Sequence, residues 1–254
     1  RMKNLLKKVL SNITEFIVKF LLKFNSGRFL IDEATDIILS KTKKIFHEGI
    51  YLKFCVPNRI NYYRVQTFST KEPETLSWID SFKRDENTVF WDIGANIGLY
   101  SCYAAKKINC KVYAFEPSVF NLELLARNIN LNSLNDRISV VPFPLSDISA
   151  FKKFFISSKT WGGAFSNFGE SRNHHGELVS NNFNYNTFGM SIDNVTRTWL
   201  ATVAMCESDA TGRALLRFGQ VFGRFDVLLC SPPHFCETVL LYIGIAQCWT
   251  VRSR

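Results

Sequence analysis

The stretch Val89-Phe90-Trp91-Asp92-Ile93-Gly94-Ala95-Asn96-Ile97-Gly98 constrains this chain more than any other. A short apolar run rich in β-formers, Thr88–Ile93, breaks into a glycine-containing turn, and a helical pattern follows from Leu99 to about Lys107. That is the grammar of a strand feeding a helix through a turn that a ligand can approach closely. The pattern repeats: Lys111–Phe115 reads as a second strand ending in Glu116-Pro117, and Ser118 can cap a helix whose apolar face is Phe120, Leu124, Leu125 and Ile129. Ile138–Val141 reads as a third strand. Strand, helix, strand, helix, strand at this spacing predicts an α/β fold with a Rossmann-like, doubly wound, mostly parallel sheet.

The turn has the form D-x-G-x-N-x-G, and Glu116 stands at the end of the next strand, 24 residues after Asp92. An acid there is placed to accept hydrogen bonds from both hydroxyls of a ribose. A nicotinamide dinucleotide site shares that logic, but its turn usually carries three glycines and no Asp before the first. The form found here suits S-adenosylmethionine, whose amino-acid end needs backbone groups of the turn and a nearby carboxylate for its ammonium.

At these residues the chain resembles the FkbM-type methyltransferases, a class I, S-adenosylmethionine-dependent group that mostly methylates oxygen. VFWDIGANIGLYSCYAA (89–105), VYAFEPSVFNLELLARNINLN (112–132) and ISVVPFPLSD (138–147) carry the resemblance. It continues through KFCVPN (53–58), TKEPETLSWIDSF (70–82), FFISSKTWGGAFSNFGE (154–170) and SIDNV (191–195), covering roughly residues 50–195. The resemblance implies that Gly94, Asn96 and Gly98 shape the cofactor turn with Asp92 beside it, and that Glu116 takes the ribose. It also implies that Leu145, Ser146 or Asp147 lies near the adenine. Glu72 and Glu74 precede the core as in the family, either to close the cofactor pocket or as helix N-terminal charges. The acceptor expected from the family is a hydroxyl on a glycan or small molecule, and nucleic acid is not among the expected partners.

After SIDNV the family supplies an acidic strand, KIDVEG or KIDVDG, that has no counterpart here. Composition changes at the same place. All 17 lysines lie at or before Lys159, all asparagines at or before Asn194, and four of the seven cysteines fall in the last 49 residues. The chain therefore divides into a helical cap and lead-in (1–66), a cofactor-binding core (67–195) and an atypical C-terminal segment (196–254). That tail is expected to leave the sheet uncompleted and turnover weak or absent, as in a cofactor-binding remnant. An alternative use for the tail is amine methylation through Ser231-Pro232-Pro233, at the end of the apolar run from Arg224.

The positive charge is concentrated at one end: residues 1–28 hold seven basic groups and one acid, out of a net +9. Leu5, Leu6, Val9, Leu10, Ile13, Ile17, Phe20, Leu21 and Phe24 form a wide apolar stripe on a helix that Gly27 can end. Packing of this helix against the domain, with Ile31–Phe46 as a partner helix, is favoured over contact with a membrane surface. No apolar run approaches the roughly 18 residues of a membrane span, and polar residues interrupt any secretory core. An odd number of cysteines without C-x-x-C spacing reads as reduced thiols, a cytoplasmic location and no metal site. Neither His47 nor His174-His175 is assigned a catalytic role, Phe151–Ser157 reads as a further strand, and 158–187 reads as a long loop.

Overall fold

The computed structural model describes residues 2–82, 84, 86, 88–170, 183–195, 214–218, 238–243 and 247–252. Two helices, α1 (Met2–Leu21) and α2 (Asn25–Leu39), lead into an antiparallel hairpin of β1 (Thr42–His47) and β2 (Ile50–Cys55). Three short helices follow: α3 (Arg59–Gln66), α4 (Phe68–Lys71) and α5 (Pro73–Asp80). The central unit is β3 (Val89–Ile93), α6 (Leu99–Ile108), β4 (Lys111–Phe115), α7 (Val119–Leu131) and β5 (Ile138–Val141). Beyond it lie β6 (Leu145–Ser146), β7 (Ala150–Ile156), β8 (Asn167–Phe168), β9 (Phe183–Ser191), β10 (Ala214–Phe218), β11 (Thr238–Ile243) and β12 (Gln247–Arg252).

Among the described residues the main sheet runs β12-β11-β10-β3-β4-β5. Every neighbouring pair is parallel except β11 and β12. The chain builds outward from β3 through β4 to β5, then returns to the other side of β3 for β10. The switch point therefore falls at β3, and the turn after its carboxyl end opens where such sheets bind ligands. This is a Rossmann-like doubly wound α/β fold. A smaller sheet, β6-β9-β7-β8, lies beyond the β5 end of the chain path.

Alternation along the strands divides the core. Phe90, Val112 and Ala114 face α6 and α7, where they meet Cys102, Tyr103, Ile108, Leu124 and Leu125. Trp91, Ile93 and Phe115 face the opposite side with Val141, Ile192 and Val195. The hairpin belongs to the first cluster through Leu52 and Phe54. Two buried amides tie it down. Asn128 on α7 accepts from the Cys55 N–H (2.7 Å) and donates to the Ile97 carbonyl (2.8 Å), while Asn132 bonds both backbone groups of Lys53. Cys55, Cys102 and Cys110 are buried free thiols, and burial pushes the first two above their ordinary range.

Several expectations are corrected. The second helix ends at Leu39, not Phe46, because Thr42–His47 pairs with β2 and turns through Glu48 and Gly49, both at positive φ. Gly27 lies inside α2 rather than ending the first helix, which stops at Leu21. The expected loop 158–187 contains the start of β9, which pairs with β7 from Phe183 onward. The tail does not leave the sheet uncompleted: β10 pairs with β3 and β11 with β10. Leu215-Leu216 and Val239–Ile243 are continuous apolar runs of the kind that parallel strands covered on both faces require. His174-His175 and Ser231-Pro232-Pro233 lie outside the described residues. The stripe on α1 is not packed on the domain: Leu5 is 65% and Leu6 59% exposed.

Candidate functional site

The turn from Gly94 to Gly98 is held entirely by its own neighbourhood. The Phe115 carbonyl accepts from both the Gly94 and Ala95 N–H groups at 2.9 Å. The Asn96 N–H donates to Glu116 Oε2 (2.8 Å), the Ile97 N–H to the Asn96 side-chain oxygen (3.1 Å), and the Gly98 N–H to the Ala95 carbonyl (2.8 Å). Gly98 caps α6 at φ +81°, and a Cβ there would meet Leu125 Cδ1 at 2.5 Å, so α7 sets how close the turn can lie. Asp92 is buried beneath the turn and accepts from Ser101 Oγ at 2.6 Å, which locks the first turn of α6 to β3.

Glu116 is buried at the end of β4, its Oε1 accepting from the Ser118 N–H at 2.8 Å. Burial raises its carboxyl to about 7. Hydrogen bonds from Ser118, Asn96 and Asn121 pull it back, and the Asp92 charge pushes it further up. Ser118 occupies the cap position of α7, but its side chain makes no capping bond there.

A strap crosses this site. Asn96 Nδ2 and Asn121 Nδ2 both donate to the Gly163 carbonyl, at 2.7 and 3.1 Å, and the Gly162 N–H donates to Asn121 Oδ1 at 2.9 Å. From the other side, Asn58 and Asn61 donate to the Trp161 carbonyl and Arg64 Nε to the Gly162 carbonyl (3.0 Å). Gly162, at φ +79°, has no room for a side chain, because a Cβ would lie 2.1 Å from Asn61 Oδ1. Among the described residues that buried oxygen has no hydrogen-bond partner. Burial lowers the Arg64 guanidinium from its ordinary value, and the Glu72 and Glu116 carboxylates draw it back up. Tyr185 on β9 donates to the Pro117 carbonyl, covering the corner after Glu116, and burial lifts its phenol to about 12.

The structure thus gathers Asp92, Gly94, Asn96, Gly98 and Glu116 at the adjacent carboxyl ends of β3 and β4. Ser146 and Asp147 stand apart from that network: Asp147 is exposed and accepts from Ser146 Oγ and its own neighbour Ile148 in a local turn. The Ser146 hydroxyl, more than any other group, holds the Asp147 carboxyl below its ordinary range. Arg64, Asn121, Trp161–Gly163 and Tyr185 were absent from the sequence expectation. Asn58, Asn61 and Arg64 recur at three-residue steps, which puts them on one face of α3 and could have marked that face as a polar clamp.

With the N–H groups of 94–98 all taken, the turn offers a ligand few donors. An acceptor, the Glu116 carboxylate, stands beside it. A pyrophosphate needs donors and would find few; a ribose diol and an ammonium, which donate, fit this arrangement.

No family model matches the chain. An 89-residue segment is 36% identical to methyltransferase sdnD of Sordaria araneosa, covering 33% of each protein, so the match spans about a third of that relative. Among solved structures the chain is similar to M. jannaschii TYW2 in complex with AdoMet, at 25% identity, 39% of this chain and 42% of that one, TM-score 0.30. It is also similar to the M. jannaschii tRNA m1G37 methyltransferase, at 22% identity over 39% and 29% of the two chains, TM-score 0.28. These likenesses are to methyltransferases, a wider class than the FkbM-type group, and each spans less than half of this chain. The expectation that set nucleic acid aside as a partner is withdrawn, since a tRNA methyltransferase is among the similar structures.

Proposed function

We propose that the chain is an S-adenosylmethionine-dependent methyltransferase acting on a hydroxyl oxygen of a glycan or small molecule. The observation that carries the cofactor half is the turn whose five N–H groups are internally bonded while a buried acid faces it. In this reading Glu116 accepts from the ribose hydroxyls, and Gly94, Asn96 and Gly98 shape the wall beside the amino-acid end. Asp92 fixes the turn from below through Ser101. Ser146 and Asp147 follow β5 and supply the adenine side. The cofactor contributes an activated methyl on a sulfonium, so the chain's part is chiefly to position and to exclude water. Asn96 and Asn121 hold the Trp161–Gly163 strap against the site for that purpose. The hydroxyl acceptor is supported by the resemblance of residues 50–195 to the FkbM-type group.

Titration calorimetry with S-adenosylmethionine, with NAD as control, tests the cofactor half. Methyl-labelled cofactor is then offered with hydroxyl compounds and, separately, with tRNA. Binding of S-adenosylmethionine and label on a hydroxyl compound is the expected result. Label on tRNA overturns the acceptor, and binding of NAD in place of S-adenosylmethionine overturns the whole reading.

A further inference from the structure

The helix α1 carries the most exposed apolar surface described. Leu6, Val9, Ile13, Phe16, Ile17 and Phe20 are each between 45% and 72% exposed, and at 100° per residue they share one face. The half-buried residues of α1 are Val18 and Leu21. Val18 points away from the stripe and Leu21 stands at its C-terminal edge, so the face from Leu6 to Phe20 stays exposed. A contiguous face of this kind marks an interaction surface.

Charge selects its partner. On the helix wheel Lys7 borders one side of the stripe, and Lys8 and Lys19 border the other, all exposed. Lys23 and Arg28 follow immediately, also exposed. Past Arg28 in its first turn, the neighbouring helix α2 carries Asp32, Glu33 and Asp36, so the positive charge is concentrated on α1 and the junction that follows it. An apolar stripe edged by lysines has the arrangement that buries its stripe among acyl chains while the ammonium groups reach acidic headgroups. A nucleic acid would satisfy the lysines and leave the stripe in water. No described helix is long and apolar enough to cross a membrane, so α1 fits a surface orientation.

We infer that α1 docks the protein onto an anionic phospholipid surface, lying in the plane of the headgroups. This stands independently of the proposed methyl transfer.

The test is co-sedimentation of the full chain with vesicles of phosphatidylcholine alone and of phosphatidylcholine with phosphatidylglycerol. The expected result is pelleting with the anionic vesicles only, weakened by salt. Each of Lys7→Gln, Lys8→Gln and Lys19→Gln should lower partitioning about fivefold. Ile13→Glu combined with Phe16→Glu should abolish it while leaving the circular dichroism spectrum and melting temperature unchanged, which shows that the domain still folds. Absence of pelleting overturns the inference, as does pelleting that survives both sets of substitutions. So does a stable dimer lost in Ile13→Glu, which assigns the stripe to a second copy. Retention on tRNA that competes with vesicles and depends on the lysines alone also overturns it.

Discussion

Replacing Glu116 by glutamine keeps the shape of the side chain and removes its charge, which makes it a sharp probe of the site. The carboxylate uses one oxygen for the Asn96 N–H and the other for the Ser118 N–H. A glutamine has a single oxygen, so one of these donors must face an NH₂ group. Its folded carboxyl sits at about 7, well above the ordinary value of 4.5, because of burial. Ionising it in the folded protein without ligand therefore costs on the order of 3 kcal/mol. That contribution to stability is fully present below the unfolded value and is lost as pH rises through about 7. Cofactor binding has the opposite sign, because ribose hydroxyls donate to the ionised form. If only that form binds, affinity for S-adenosylmethionine should rise roughly tenfold between about pH 6 and about pH 8. Glu116→Gln should flatten this rise and weaken binding by about 1.5–3 kcal/mol, the worth of a hydrogen bond to a charged group. Calorimetry at a series of pH values reads both effects. A variant that binds within about twofold of wild type, or wild-type affinity that does not move with pH, would refute the assignment of Glu116 to the ribose.

Gly98→Ala should destabilise the fold by about 1–3 kcal/mol in chemical denaturation, through positive-φ strain and the approach to Leu125. Asn128→Ala removes the partner of both the Cys55 N–H and the Ile97 carbonyl. It should cost about 2–4 kcal/mol by the same assay, as expected for two orphaned buried groups. Asn121→Ala and Arg64→Ala each cut a tether of the strap, so limited proteolysis should cleave within 158–165 faster in both than in wild type. Unchanged cleavage would show that the remaining bonds to Trp161 suffice.

The central unit was legible because each of its strands is a short apolar run bounded by a turn residue, and Asp92 and Glu116 fall at strand ends by spacing alone. The bond from the Asn96 N–H to Glu116 was not anticipated, because the turn's backbone groups were read as free for a ligand. The strap was not: Trp161–Gly163 reaches the site from about forty residues downstream and Arg64 from about fifty upstream, and neither carries a local signature of meeting Glu116. β1 was read as helix because Lys43, Lys44 and Ile45 suit either period over so short a run, and pairing with β2 decides it. β9 was hidden by its asparagines, whose alternation with Phe183, Tyr185 and Thr187 is a strand pattern in polar dress. In the tail, vocabulary was weighed above pattern, and the apolar runs of β10 and β11 were passed over.

The position of β3 has a consequence for the order in which the molecule assembles. Its partner on one side, β4, begins some twenty residues away along the chain, and its partner on the other, β10, more than a hundred. Closing the longer loop costs about 1.5 kcal/mol more in chain entropy, enough to slow that pairing roughly tenfold. The half-sheet carrying the turn and Glu116 is therefore the early product of folding, formed from local contacts. Until β10 arrives, β3 presents an unpaired edge of apolar strand, and it is in that interval that one copy of the chain is most exposed to pairing with another.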